Sequence, residues 1–529
     1  MLLDSIGISD FPAFSKIDRE FAKPLTALSN FVKWTPSLSS MESIINDRKK
    51  YLTNRKLLHE VLIDQYKKMS PNTTVNHLIE SVLEENTFTV TTAHQPSLFT
   101  GPSFVISKAL SVIKLARQIN EQQSTYNIIP FFVIGSEDHD VDELNHTYLF
   151  GNKITWHTEQ KGPVGRYSLE GIDEILAQVK QQLINTKYGE ELIKVLDRAY
   201  QPEHSFAEAF QIMLHEILGP LGIIVLNTDD ARLKQQFKSL IKTEVTQSVS
   251  KPLIQKTQAE LSAIGFEPAS FARDINFFYF GKGFRDRIEK IGDTYSIFGK
   301  EQKFTTEEMN EELDQHPEHF SPNVLMRPLY QETILPNLAY VGGGGELAYW
   351  LERKLQFETL GVPYPMLIRR DSFMIMQQDQ FDLLNQFNLR VSDLTTRTDI
   401  LLNQLAESLS THPIQLLEES TGIQEWMDRI RSKAELVDKT LGPSIDAEKA
   451  KLLKSIEHIE KKLLKAEKLK SEVQLNKIRK LQDKLLPDST LLERRENFMT
   501  FYAEYGSRFI ETLLQDFNPL DNQFKVIKI

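Results

Sequence analysis

At 529 residues the chain has the length of about three structural units of roughly 100–200 residues each, and its 40% hydrophobic and 26% charged content is ordinary for a globular protein. Sixty-two Lys and Arg against 73 Asp and Glu leave −11 at neutral pH, which argues against a nucleic-acid footprint and for small ligands or proteins as partners. There is no cysteine, so disulfides, thiolate zinc sites, iron–sulfur clusters and cysteine nucleophiles are excluded, and any metal must use His, Asp or Glu.

The start, MLLDSIGISDFPAF, has no basic region or long apolar stretch, and no run approaches the roughly 20 apolar residues of a membrane span; a cytoplasmic protein without membrane contact is expected. Residues 41–85 carry apolar positions at helical spacing (Ile44, Ile45, Tyr51, Leu57, Leu58, Leu62), interrupted at Pro71. TFTVTTA at 87–93 reads as a strand, HQPSLFTGP as a loop and 103–118 as a helix. IIPFFVIG at 128–135 and LGIIVLN at 221–227 are continuous apolar runs, as in strands buried on both faces of a parallel sheet. A further apolar segment ends at Val341, a tetraglycine and the helix-like ELAYWLERK follow, and VPYPMLIRR at 362–370 closes the series. The alternation predicts an α/β fold with a Rossmann-like, doubly wound parallel core over 1–372, N-terminal helices, and insertions near 151–204 and 240–325.

Strand signals vanish over 376–486, and Ile456, Ile459, Leu463, Ala466, Leu469 and Val473 step by three and four residues as in a coiled-coil seam. The stretch 447–486 holds 12 Lys or Arg against 6 Asp or Glu, best read as a solvated helix face. An α-helical coiled-coil arm over 376–486 is expected to make a homodimer, with the 376–410 helix as the alternative cover for the seam. Residues 487–529 read as a helical return onto the core.

In an open α/β sheet ligands bind beyond the carboxyl ends of the strands. Ser136-Glu137-Asp138-His139-Asp140 stands there after FFVIG, with Asp142, Glu143, Asn145 and His146 close behind. Carboxylates crowded around a histidine repel unless a cation or shared proton intervenes, so Glu137, Asp138 and His139 are candidates, while Asp140 and its followers also suit a helix N-terminus. His94 and Gln95 end the first core strand, and the TGP before the next helix suits an anion. The tetraglycine Gly342–Gly345 fits neither GxxxxGK[ST] nor GxGxxG; with Glu346 next, it reads either as close backbone approach to an amine-like group or as a tight strand-to-helix turn. Arg273, Arg285 and Arg287 in an aromatic insert, and Arg327 and Arg369 among apolar neighbours, are candidate anion anchors.

TAHQPSLFTGP, GSEDHDVDELNH, SPNVLMRPLYQETILP, AYVGGGGELAYW and the RRDS after the last strand together resemble the bacillithiol biosynthesis cysteine-adding enzymes, the BshC family. The match spans about 91 to 372, and the long helical segment stands where that family has its coiled coil. Ala93 and His94 depart from the usual TGQQxGLFTGP, and Gly344 replaces the proline of GGPGE.

The resemblance implies a Rossmann core with connecting peptides, a dimerising coiled coil, and a ligase forming an amide between the cysteine carboxyl and the amine of glucosaminyl malate or a similar amino sugar. A free carboxylate is a poor electrophile, so ATP is the implied activator, with magnesium on Glu137, Asp138 and Asp140 and no tightly bound cofactor. On this reading His94, Asp138, His139 and Glu346 are catalytic. Gln95, Glu137, Asp140, Gly342, Gly343, Tyr349, Arg327 and Arg369 bind substrate. Two alternatives are a metal-dependent hydrolase on His94, His139 and His146, and a coiled-coil scaffold.

Overall fold

The computed structural model describes residues 1–24 and 26–529. They form two compact units, residues 1–375 with 493–529, and residues 376–492.

The first unit is built on five parallel strands, β1 (Thr87–His94), β2 (Asn127–Ile134), β3 (Ile224–Asn227), β4 (Asn337–Gly342) and β5 (Met366–Arg369). Their order is β5-β4-β1-β2-β3, with the topological switch beside β1, as in a Rossmann-type sheet. Side chains alternate across the strands, and both faces are apolar. Phe88, Val90, Ile128, Leu338, Val341, Met366 and Ile368 pack on one face with the helices Met41–Arg48 and α1 (Phe104–Gln122). Ile129, Phe131, Val133, Ile224, Leu226, Tyr340 and Leu367 turn to the other, under the helices Arg55–Tyr66, Ala231–Gln247 and Arg327–Ile334.

Three features depart from the sequence expectation. The N-terminus forms a strand, Leu2–Gly7, pairing with the terminal strand Gln523–Ile527, which in turn pairs with Ser372–Ile375. The C-terminal return is therefore not purely helical: Phe498–Tyr505 and Ser507–Asp516 lead into that strand. The later insertion is an antiparallel five-stranded sheet with a helix, Thr306–Gln315, and its aromatic run is the strand Phe277–Gly281.

In the second unit Leu417–Val437 and Gly442–Lys470 run antiparallel, tied by Arg431–Asp446 at 3.2 Å and Lys449–Asp428 at 2.7 Å. Within the chain the longer helix therefore pairs with 417–437 and also touches Thr398–Leu409. Leu469 and Val473 of the apolar seam remain 66% and 68% exposed. Among the described residues no helix is long and apolar enough to cross a membrane.

Candidate active site

The strand ends define the site. After β1, the loop 95–102 is held in an unusual course: Phe99 and Thr100 are buried with φ of 50° and 73°, and Gly101 follows at 71°. Such a backbone persists only where its surroundings impose it. Tyr200 Oη accepts from the Phe99 N–H at 2.8 Å, and Asn497 Nδ2 donates to the carbonyls of Phe99 and Gly101 at 2.7 Å each. Beside β4, a Cβ on Gly344 would run into the Asp18 carboxylate, and the N–H of Gly343 donates to Glu346 Oε2 at 2.9 Å. The run forms a tight strand-to-helix turn opening α2 (Gly344–Leu351) in which Gly344 is the position that excludes a side chain, and Gly342 and Gly343 do not line the cavity.

That cavity, about 560 Å³, brings together His94 and Gln95 after β1, Glu137, Asp138 and His139 after β2, and Glu346 and Tyr349 on α2. Arg327, from the helix after the insertion, and Arg285, from the inserted sheet, complete its charged lining, and Phe104, Phe271 and Phe278 provide apolar wall. A second cavity of about 450 Å³ shares His139 and Arg285 with it and includes Lys161 and Lys300.

Several placements correct the sequence reading. Arg369 lies outside the cavity because buried Asp18 takes its Nε at 3.0 Å. Asp140 is exposed at the N-terminus of the short helix Val141–Leu144, and His146 turns its Nδ1 to the Asp142 carbonyl at 3.1 Å; neither lines the cavity. Among the described residues His94, His139 and His146 form no group close enough to share an ion, and neither do Glu137, Asp138 and Asp140. The trio does not fit a magnesium cage, because Glu137 is already occupied by Lys234 at 2.5 Å and by the Ser321 hydroxyl at 3.0 Å. Of the insert arginines only Arg285 reaches the cavity; Arg273 and Arg287 lie over Phe271 and Phe298.

Two buried lysines escaped the sequence reading. Lys108 sits on the core face of α1 and pairs with Glu346 Oε2 at 2.7 Å while donating to the Ala93 carbonyl. Lys234 lies between Leu233 and Phe237 on a core-facing helix and also donates to the Phe320 carbonyl at 2.9 Å. The available signal was a lysine inside an apolar helical stripe, where burial requires a partner.

Hydrogen bonding assigns the histidine tautomers. His94 Nδ1 lies 2.8 Å from the Gln95 carbonyl, an acceptor only, so Nδ1 carries the proton and Nε2 the lone pair. His139 Nδ1 lies 2.8 Å from Arg285 Nη1, a donor only, so there Nδ1 accepts and Nε2 carries the proton. Burial, then the Lys108 charge, brings the His94 pKa down to about 4; burial, then the Arg285 charge, lowers that of His139. Both rings are neutral at pH 7 and present opposite functions at Nε2.

The carboxylates are differentiated too. Burial would raise Asp138, but the Arg285 charge and donors from Gln95 Nε2 at 3.0 Å and the His139 N–H outweigh it and hold the group below its ordinary value. Burial opposes ionisation of Glu346 as well, and Lys108, Tyr340 and the Gly343 N–H overcome it. For Glu137 burial prevails and the pKa is raised, while Lys234 is pushed down by the same cause. Arg327 donates to Tyr349 Oη at 3.0 Å and Gln331 Oε1 at 3.2 Å, and no carboxylate among the described residues pairs with it. It is a cation with guanidinium capacity left for an anion. Lys234 is matched to Glu137, Lys108 to Glu346, and Arg285 lies 3.8 Å from Asp138, which leaves Arg327 as the cation facing an anionic ligand.

Residues 4–371 match the family model described as the bacillithiol biosynthesis BshC N-terminal Rossmann-like domain, and residues 373–529 match the BshC C-terminal coiled-coil domain. A relative from Flavobacterium johnsoniae, named "Putative cysteine ligase BshC", is 34% identical over 100% of both chains. One of the same name from Christiangramia forsetii is 34% identical over 97% of each, and one from Bacillus mycoides is 27% identical over 85% of this chain and 86% of its own. Two domain matches that together run from residue 4 to residue 529, and full-length identity above 30%, establish that this chain belongs to the bacillithiol biosynthesis BshC family.

Proposed function

We propose that this chain is a cysteine ligase of bacillithiol-type thiol biosynthesis, joining the cysteine carboxyl to the amine of glucosaminyl malate or a similar amino sugar. The observation that carries the proposal is the single cavity at the carboxyl ends of β1, β2 and β4, in which an uncommitted guanidinium, two ionised carboxylates and two histidines of opposite tautomer converge. The relatives' names supply the reaction class.

Amide formation needs an amine that loses a proton and a carbonyl whose oxygen gains charge. Arg327 holds a carboxylate of the substrates, and Asp138 and Glu346 attract the ammonium form of the acceptor, which releases one proton to solvent and attacks as the free amine. His94 Nε2 takes the proton from the attacking nitrogen; a base of such low pKa does so once the forming C–N bond has made that nitrogen strongly acidic. His139 Nε2–H donates to the developing oxyanion, supported from behind by Arg285 on Nδ1. The adjoining cavity with Lys161 and Lys300 suits the malate end of the acceptor. ATP would supply the activated carboxyl, whose phosphate or AMP would be the group that leaves when the oxyanion collapses to the amide; Glu346 already occupies the Gly343 N–H at the tetraglycine turn.

The test is incubation of the full chain with cysteine and glucosaminyl malate, with and without ATP, followed by mass spectrometry. A new amide-linked product supports the reading, and its dependence on ATP identifies the activator. No product in either arm, with both substrates recovered, rejects it.

A further inference from the structure

The inserted segment carries a cluster of potential metal-ligating side chains that lines neither cavity. The helix Thr306–Gln315 ends at His316, a single 3-10 turn Pro317–His319 follows, and the chain enters the strand Phe320–Pro322. Side chains three residues apart eclipse in a 3-10 turn. His316, which precedes the turn as its N-cap, stacks on His319, with ring centroids 4.9 Å apart and planes at 18°. Glu318 joins them: one donor atom from each of His316, Glu318 and His319 lies within 4.8 Å of the other two.

The second layer is also formed. His319 Nδ1 is 2.6 Å from Glu312 Oε1, and the Tyr279 hydroxyl donates to that same oxygen at 2.7 Å. A carboxylate receiving one ring N–H fixes the tautomer and leaves the other nitrogen for a metal. Glu312 is held by Tyr279 from a separate strand, so this support is not a loose contact within the turn.

We propose that His316, Glu318 and His319 form a binding site for a divalent cation of the Zn²⁺ class, with Glu312 and Tyr279 as its supporting shell. Two imidazoles and one carboxylate suit zinc and its first-row neighbours, whereas Mg²⁺ and Ca²⁺ prefer all-oxygen sets. Tetrahedral ligands at zinc distances stand about 3.3 Å apart, so the present spacing closes by small rotations of side chains that are 45%, 32% and 39% exposed. Three protein donors leave a fourth position to water.

The experiment uses full-length protein treated with EDTA, dialysed and titrated with Zn²⁺ by calorimetry, with Co²⁺ absorption reporting the donor set. One equivalent of Zn²⁺ should bind, and Co²⁺ should give a four-coordinate nitrogen–oxygen spectrum. His316→Ala combined with Glu318→Gln leaves the His319–Glu312–Tyr279 contacts in place and should weaken Zn²⁺ binding at least about 100-fold, with metal-free melting unchanged. His319→Ala alone should abolish the Co²⁺ spectrum. Equal Zn²⁺ affinity in wild type and the double variant, or no saturable binding to wild type, overturns the proposal. Neither result bears on ligase activity, which is measured separately.

Discussion

Lys108→Met is the most informative single perturbation of the cavity. The lysine is 1% exposed, so its methylene stem is replaced almost isosterically while the charge facing Glu346 disappears. Stranding one partner of a buried pair costs about 3–5 kcal/mol, and because 24% of Glu346 reaches the cavity the lower end, about 3 kcal/mol, applies at neutral pH. In the wild type the pKa of Glu346 is lowered, so its contribution to stability is present above the unfolded-state value and fades as pH falls through the folded one. In the variant burial is opposed by Tyr340, the Gly343 N–H and the more distant Arg327 and Arg370 charges without Lys108, and the pKa should move up. The stability gap between the two proteins should therefore open below about pH 4.5 and widen as pH rises toward neutrality in urea unfolding curves. The acid limb of the activity profile should move to higher pH, and the His94 pKa, lowered first by burial and then by Lys108, should rise from about 4. A variant whose stability gap is independent of pH, or whose acid limb is unmoved, would refute the coupling of Lys108 to Glu346.

Arg327→Gln should raise the KM for a carboxylate-bearing substrate about 10–100-fold, the scale of a lost charge-assisted hydrogen bond, with kcat nearly unchanged in steady-state kinetics. Arg285→Gln should lower both activity and melting temperature, because Arg285 also holds Ser321 Oγ at 2.9 Å and the Pro322 carbonyl at 3.1 Å. Arg273→Gln and Arg287→Gln should leave kinetics unchanged. For the arm we propose self-association through the exposed end of the seam: the full chain should sediment as a dimer, and Leu469→Glu with Val473→Glu should yield a monomer of unchanged helicity by circular dichroism.

The parallel core was legible because strands covered on both faces are written as short apolar runs, and the runs ending near His94, Gly135, Asn227 and Gly342 are all strands of one sheet. Topology alone then brings His94, Asp138 and Glu346 to one edge, although about 250 residues separate the first from the last. The N- and C-terminal strands were not legible, since LLDSIG and QFKVI are short and mixed in polarity and gain their meaning only from each other across the chain. Arg369 illustrates a further limit: apolar neighbours signalled burial correctly, but the partner that neutralises it, Asp18, is 351 positions away. Lys108 and Lys234 were hidden for the converse reason, since helical periodicity marks them as interruptions of an apolar stripe without naming the carboxylates that make their burial tolerable.

The central claim, that one cavity performs the ligation, is tested most directly by product formation in Asp138→Ala and His94→Ala, read by mass spectrometry beside the wild type. Losing a positioned ionisable group should cut turnover about 10²–10⁴-fold in each variant with folding retained. Both variants forming product at the wild-type rate would contradict the account.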